Sequence, residues 1–109
     1  MDNIKIFEND LPAEIDLSKE KVIGIDNEAL GLVLGRDPLT LVQLGLKSKQ
    51  FYLIKLNRKT YDAPNLIKVL SNPSTEFIMH YARQDLLWLK YHLNVGPKNI
   101  FCSKVASKL

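Results

Sequence analysis

The residues best suited to chemistry in this chain are two carboxylates one residue apart. Asp26 and Glu28 close the apolar run within KVIGIDNEALGL, residues 21–32. In a strand, residues i and i+2 point to the same side, so both acids would leave the sheet together at its end. Adjacent like charges destabilise each other, and water solvates a carboxylate better than a protein interior does. A divalent cation offsets that cost, because hard cations take oxygen ligands. A polar strand end gives the same pattern without any metal, so the pair alone leaves both readings open. A third acid, Asp85 in FIMHYARQDLLWLKYHL, falls in the first turns of an expected helix that follows a short apolar strand. The positive end of the helix dipole favours an acid there, which is a sufficient structural reason for it. In open α/β sheets, however, functional groups gather at the carboxyl ends of strands. If the strand ending in Asp26 and the strand preceding Asp85 are neighbours, three carboxylates meet at one place.

The elements that must position these acids follow from hydrophobic pattern and breakers. Residues 4–7 (IKIF) read as a short edge strand, followed by the turn-like ENDLPAE. Residues 21–26 form the next strand, too short for a helix and rich in Val and Ile. GLVLGRDP reads as a loop. Residues 39–46 (LTLVQLGL) and 50–56 (QFYLIKL) are joined by the short polar link KSK as a hairpin, which completes a three-strand meander. After the turn NRKTYDAP, a helix covers 64–71, with Asp62 as its cap and Leu66, Ile67 and Leu70 on one face. SNPSTE breaks it. FIM (77–79) supplies a buried strand, and a second helix spans 81–93 with Ala82, Leu86, Leu89 and Leu93 at helical spacing, ended by Gly96-Pro97. IFCS (100–103) is a further strand, and KVASKL opens another helix. The fold class is α/β: an antiparallel meander plus parallel strands in one mixed sheet, with flanking helices.

Composition narrows the setting. At 109 residues, 46% hydrophobic and 25% charged, the chain suffices for one domain with a core. Its net charge of +3 conceals an asymmetry: residues 1–28 carry net −5 and residues 29–109 net +8. A basic body around an acidic centre suits a polyanion that meets lysines while cations bridge it to carboxylates; a Lys-rich solvated surface gives the same totals. Cys102 is the only cysteine, which excludes an intramolecular disulfide. The start, MDNIKIFENDLP, is not a signal peptide, and no apolar segment is long enough to span a bilayer, so a reducing cytoplasmic location is expected. Trp88 and Tyr91, three residues apart on the second helix, suit packing. Phe51 and Tyr52 alternate along a strand, so one should face the core.

Taken in order, IDNEALGL, LTLVQLGL, FIMHYARQDLLWLKYHLNV and IFCSKVASKL closely resemble ribonuclease D-type 3′–5′ exonucleases of the DEDD superfamily. The first block corresponds to that family's Asp-x-Glu motif, the second to its VQL strand, and HYARQDL to its His-x-x-x-x-Asp motif. The resemblance runs from residue 3 nearly to the end. It is greatest to the short bacterial members, which share a cysteine in the CSKVAS position, so Cys102 reads as a packed family feature. The resemblance implies a ribonuclease H-like fold and a two-metal mechanism with Mg²⁺ or Mn²⁺, in which one ion activates the attacking water and the other stabilises the leaving 3′ oxygen. By motif, Asp26 would bridge both ions, Glu28 would complete the first site and Asp85 would hold the second, with nucleoside 5′-monophosphates as products. Leu30 and His80 are implied as substrate-binding positions, and His80 is not assigned catalysis.

Two departures from the family pattern matter. Asp-Thr-Glu-Thr is usual at the first motif, where this chain has Asp26-Asn27-Glu28-Ala29. Asn27 should point away from the metals by alternation, whereas Ala29 lacks a hydroxyl that could support the site. The family's third motif, Tyr-x-x-x-Asp, would lie beyond Leu109, and no acid follows Asp85 to replace it. Residues 1–109 therefore read as the N-terminal portion of a single exonuclease domain with its C-terminal part missing. Three functions compete. The chain is a 3′–5′ exonuclease acting on single-stranded RNA or DNA 3′ ends, alone or completed by a second polypeptide. Alternatively, it is an inactive truncated remnant. In the third reading it is a nucleic-acid-binding or dimerising module that uses Lys47, Lys49, Lys55, Arg58 and Lys59 as a basic edge and an uncovered apolar face as a homodimer contact. Little or no turnover is expected from the isolated chain, because groups acting as a unit fail together.

Overall fold

The computed structural model describes residues 3–29, 38–79 and 82–102. Most of the expected GLVLGRDP loop, Leu30, His80 and the final KVASKL helix lie outside the described residues. So do the side chains of Asp85, Trp88 and Cys102. Six strands form one mixed sheet: β1 (Asn3–Glu8), β2 (Val22–Ala29), β3 (Leu39–Leu46), β4 (Gln50–Lys55), β5 (Glu76–Met79) and β6 (Ile100–Cys102). Helix α1 (Pro64–Leu70) lies between β4 and β5 in sequence, and α2 (Ala82–Leu93) between β5 and β6. The strand order is β1-β4-β3-β2-β5-β6. The pairs β2–β3 and β3–β4 are antiparallel, while β1–β4, β2–β5 and β5–β6 are parallel. This is the meander-plus-parallel arrangement expected of a ribonuclease H-like sheet.

Alternation assigns each strand residue to a face. Ile23 and Ile25 of β2, Val42 and Leu44 of β3, Ile54 of β4, and Phe77 and Met79 of β5 are buried on one face. That face is covered by Leu66 and Leu70 of α1, Leu89 and Leu93 of α2, and Leu11 and Leu17 of the segment after β1. Tyr52 packs against this core with Phe7, so it is the inward member of the Phe51–Tyr52 pair. The opposite face carries, in one row across the sheet, Ile4, Phe51, Gly45, Gly24, Ile78 and Phe101. Gly45 fits under the Phe51 ring there: a Cβ would come within 2.9 Å of it and force the ring to shift. Ile4, Ile6, Ile78 and Phe101 are exposed, between 37% and 57%.

Three expectations are corrected in detail. The strand expected over 21–26 continues to Ala29 because β3 keeps pairing with it past Asp26. Asp62 does not cap α1; the N-cap is Ala63, without a side-chain bond. Asp10, far away in sequence, supplies the cap instead: its Oδ2 accepts from the Asn65 N–H at 3.0 Å and its Oδ1 from the Leu66 N–H at 2.8 Å. The Asn65 side chain returns a bond to the Leu11 carbonyl at 2.8 Å, which ties the segment after β1 to the helix. Helix α2 stops at Leu93 because Asn94 takes a left-handed conformation (φ 54°), two residues before Gly96.

The loop between β4 and α1 is anchored by Tyr61. Its hydroxyl donates to the Leu39 carbonyl at 3.0 Å, and its ring lies 4.7 Å from that of His92 on α2. Burial pushes the Tyr61 phenol up, so the hydroxyl remains a donor at any working pH. Burial pushes His92 below its ordinary value of 6.5.

Asp10→Ala should lower folding stability by about 1–2 kcal/mol, the usual loss for a capping side chain, whereas Asp62→Ala should change it little; urea unfolding midpoints decide this. His92 has a lowered folded pKa, so the unfolded chain takes up the proton first. Its contribution is complete above about pH 6.5 and is lost as pH falls through the lowered folded value. His92→Phe should therefore lose less stability than the wild type between pH 7.5 and 5, read from paired urea titrations.

Candidate metal centre

Pairing of β2 with β3 continues to Ala29↔Leu39, past both acids, and among the described residues its pairing with β5 runs to Ile25↔Met79. Asp26 and Glu28 thus sit on backbone held by β3. Both side chains are exposed, and alternation from the buried Ile23 and Ile25 turns them together onto the face away from the core. Asn27 points the other way, as expected, and its N–H donates to Asp26 Oδ1 at 3.0 Å. Directly across β3, Asp26 faces Gln43 and Glu28 faces Leu41. Both cross-strand neighbours are neutral, so two like charges share one face with no opposing charge directly opposite. All-oxygen donors in that arrangement fit a hard divalent cation.

Asp85 is the fourth residue of α2, which begins three positions after β5 ends. Because β5 is parallel to β2 and beside it, the first turn of α2 starts at the same end of the sheet as Asp26 and Glu28, and α2 lies against β2. The body of the helix packs by Leu89 and Leu93 onto the core face, opposite the two carboxylates. Among the described residues, no group of three or more His, Cys, Asp or Glu side chains forms a metal set, and the Asp85 side chain is outside that search.

The basic residues expected to form one edge are divided. Lys47 and Lys49 lie at the β3–β4 hairpin, where Lys49 has φ 68°. Lys55, Arg58 and Lys59 lie at the far end of β4, all exposed. That far end is the acid end. Lys55 shares a cross-sheet row with Leu41 and Glu28, roughly 10 Å from Glu28 at two strand spacings. Sequence reasoning missed two residues near the acids. Thr40 donates through Oγ1 to the Glu28 carbonyl at 3.0 Å, and Tyr61 holds Leu39. Nothing local in the sequence signals either bond, since both partners are distant along the chain. Among the described residues no helix is long and apolar enough to cross a membrane.

A family model described as 3′–5′ exonuclease matches residues 6–109. Solved structures share the fold. NrnC of Brucella melitensis bound to pGG superposes with a TM-score of 0.91 at 35% identity, covering 99% of this chain and 52% of that one. NrnC of the same organism with bound Mg²⁺ gives 0.90 at 36% identity, covering 97% and 52%. RNase D of Trypanosoma brucei in complex with RNA U12 gives 0.68 at 21% identity, covering 82% and 32%, a likeness of fold alone. The chain spans about half the length of the NrnC chains it matches. No curated protein sequence matches it.

If Asp26 and Glu28 repel each other on an open face, Glu28→Gln should raise the urea midpoint slightly in metal-free buffer. In millimolar Mg²⁺ the order should reverse, because the wild type alone keeps both ligands. Midpoints measured with chelator and with Mg²⁺ give the comparison.

Proposed function

This chain belongs to the 3′–5′ exonuclease family, and on that footing we propose that it serves in removing nucleotides from the 3′ ends of single-stranded nucleic acid, with Asp26, Glu28 and Asp85 as its cation-holding acids. The resemblance to ribonuclease D-type exonucleases is borne out at the level of family and fold. The observation that carries the reading is the exposure of Asp26 and Glu28 together on one face of β2, at the end of the sheet where the Asp85 helix begins. Mg²⁺ in NrnC supports divalent-cation dependence, and Mn²⁺ suits the same oxygen donors. NrnC with pGG and RNase D with RNA U12 support a nucleic-acid substrate.

In this reading Asp26, Glu28 and Asp85 would hold two divalent ions, Asp26 shared between them. Bound there, the ions would supply activation of a water and charge stabilisation at the leaving 3′ oxygen, giving nucleoside 5′-monophosphates. The Asn27 N–H holds Asp26 in its rotamer. Lys55, Arg58 and Lys59, exposed at the acid end of the sheet, would attract a phosphate backbone. Leu30 and His80 are assigned to substrate contact, and the lone cysteine fits a cytoplasmic setting.

Residues 1–109 carry three of the four acids of the family pattern. We assign them to the N-terminal portion of an exonuclease domain, with the Tyr-x-x-x-Asp motif of the active site supplied by residues outside that portion. The uncovered face bearing Ile4, Ile6, Ile78 and Phe101 favours a second reading, in which an inactive remnant binds nucleic acid or pairs with another copy through that face.

The isolated chain should release 3′-terminal nucleotides from single-stranded RNA or DNA in Mn²⁺ weakly or not at all. Activity should rise by orders of magnitude when a fragment bearing the third motif is added, and should vanish in Asp26→Ala. Robust turnover by the chain alone refutes the need for completion. No activity under either condition, together with a dimer in sedimentation, favours the second reading.

A further inference from the structure

The backbone around Glu28 is braced in a way that strand pairing does not require. Glu28 faces Leu41 and Ala29 faces Leu39, so Thr40 is an extra residue on β3, and the two strands fall out of step there. A bulge breaks the ladder and increases local twist. The direction in which Glu28 leaves the sheet is therefore not set by the ladder alone. Three hydrogen bonds hold the bulge. Thr40 Oγ1 donates to the Glu28 carbonyl at 3.0 Å, the Leu56 N–H donates to the Thr40 carbonyl at 2.9 Å, and the Tyr61 hydroxyl donates to the Leu39 carbonyl at 3.0 Å.

Tyr61 is itself held in an uncommon state. Its φ is 49°, in the left-handed region that bulky side chains avoid, and such strain persists only where the surroundings over-determine it. Its N–H donates to the Asn57 carbonyl at 2.8 Å, and its ring rests on His92 in the last turn of α2. Tyr61 thus connects the start of β3, which grips the end of β2, to the helix that carries Asp85.

We propose that Thr40 and Tyr61 are positioning residues that together fix the direction of the Glu28 carboxylate relative to α2, and with it the geometry in which a divalent cation is held. The inference rests on the cation-binding reading of Asp26 and Glu28. Neither residue touches the cation; both act through backbone carbonyls, Thr40 directly on that of Glu28 and Tyr61 through Leu39.

The test is Mn²⁺ binding to the full chain, followed by the EPR signal of the free ion, beside urea midpoints of the metal-free proteins. Thr40→Val keeps the side-chain shape and loses the donor, and Thr40→Ser keeps the donor. Tyr61→Phe keeps the ring on His92 and loses the bond to Leu39. Thr40→Val and Tyr61→Phe should each weaken Mn²⁺ binding by roughly tenfold or more, the scale lost when a metal ligand's supporting partner is removed. Thr40→Ser should bind as the wild type does. Wild-type binding with unchanged affinity in both Thr40→Val and Tyr61→Phe overturns the positioning role and leaves the cation site standing. A loss explained wholly by a smaller folded fraction, or a failure of Thr40→Ser to restore binding, overturns it as well. No Mn²⁺ binding by the wild type, with Asp26→Asn indistinguishable from it, overturns the cation site and the positioning role together.

Discussion

The candidate site depends on β3, which pairs with β2 from Ile23 to Ala29 and so carries the ladder past both acids. Without that pairing Asp26 and Glu28 would lie on a floppy end whose ordering entropy any bound ion would have to overcome. With it, the two carboxylates stand on held backbone, exposed on one face. Strand β5, parallel to β2 and beside it, is followed by α2, so the helix starts at the sheet end that carries the acids. This is the crevice at the carboxyl ends of parallel strands where α/β sheets place their ligands.

The same strand separates stability from chemistry by alternation. Ile23 and Ile25 enter a core closed by α1, α2 and the segment around Leu11 and Leu17. Asp26 and Glu28 turn to the other face, which Gly24 and Gly45 share at the centre of the sheet. A substitution at either acid therefore need not disturb the core. The electrostatic layout is similarly partitioned. Cross-strand neighbours of the acids are neutral, while Lys55 lies in the same row two strands away. That is too far for an ion pair and close enough to shape the field seen by an approaching polyanion.

Much of this was legible along the chain because it depends on local pattern. The meander over residues 21–56, the strand at 77–79 and the helix with Leu89 and Leu93 inward follow from period and breakers. The carboxylate pair and Asp85 were visible as residue types at strand and helix ends, and the ordered motifs identified the family. What escaped were bonds between distant segments. Asp62 has the composition and position of a cap, yet Asp10 does the capping, because the turn after β1 folds over α1 and delivers its carboxylate to the Asn65 and Leu66 amides. The extra length of β2 also escaped, since β3 rather than local propensity decides where that strand ends. The five basic residues read as one edge in sequence, but β4 runs between them and carries Lys47 and Lys49 to the opposite end from Lys55.

The bulge at Thr40 accounts for the two long-range bonds beside the acids. A regular antiparallel ladder fixes side-chain direction through its own repeating bonds and needs no further support. Where one residue too many interrupts it, side-chain donors take the carbonyls of Glu28 and Leu39, and the part-buried Leu39 carbonyl is the costly one to leave unpaired. The donors that arrive come from Thr40 itself and from Tyr61, a residue in strained backbone resting on α2. Satisfying those carbonyls couples the end of β2 to the helix that starts beside it. The irregularity beside Glu28 thereby also supplies the bonds that fix the sheet's geometry there.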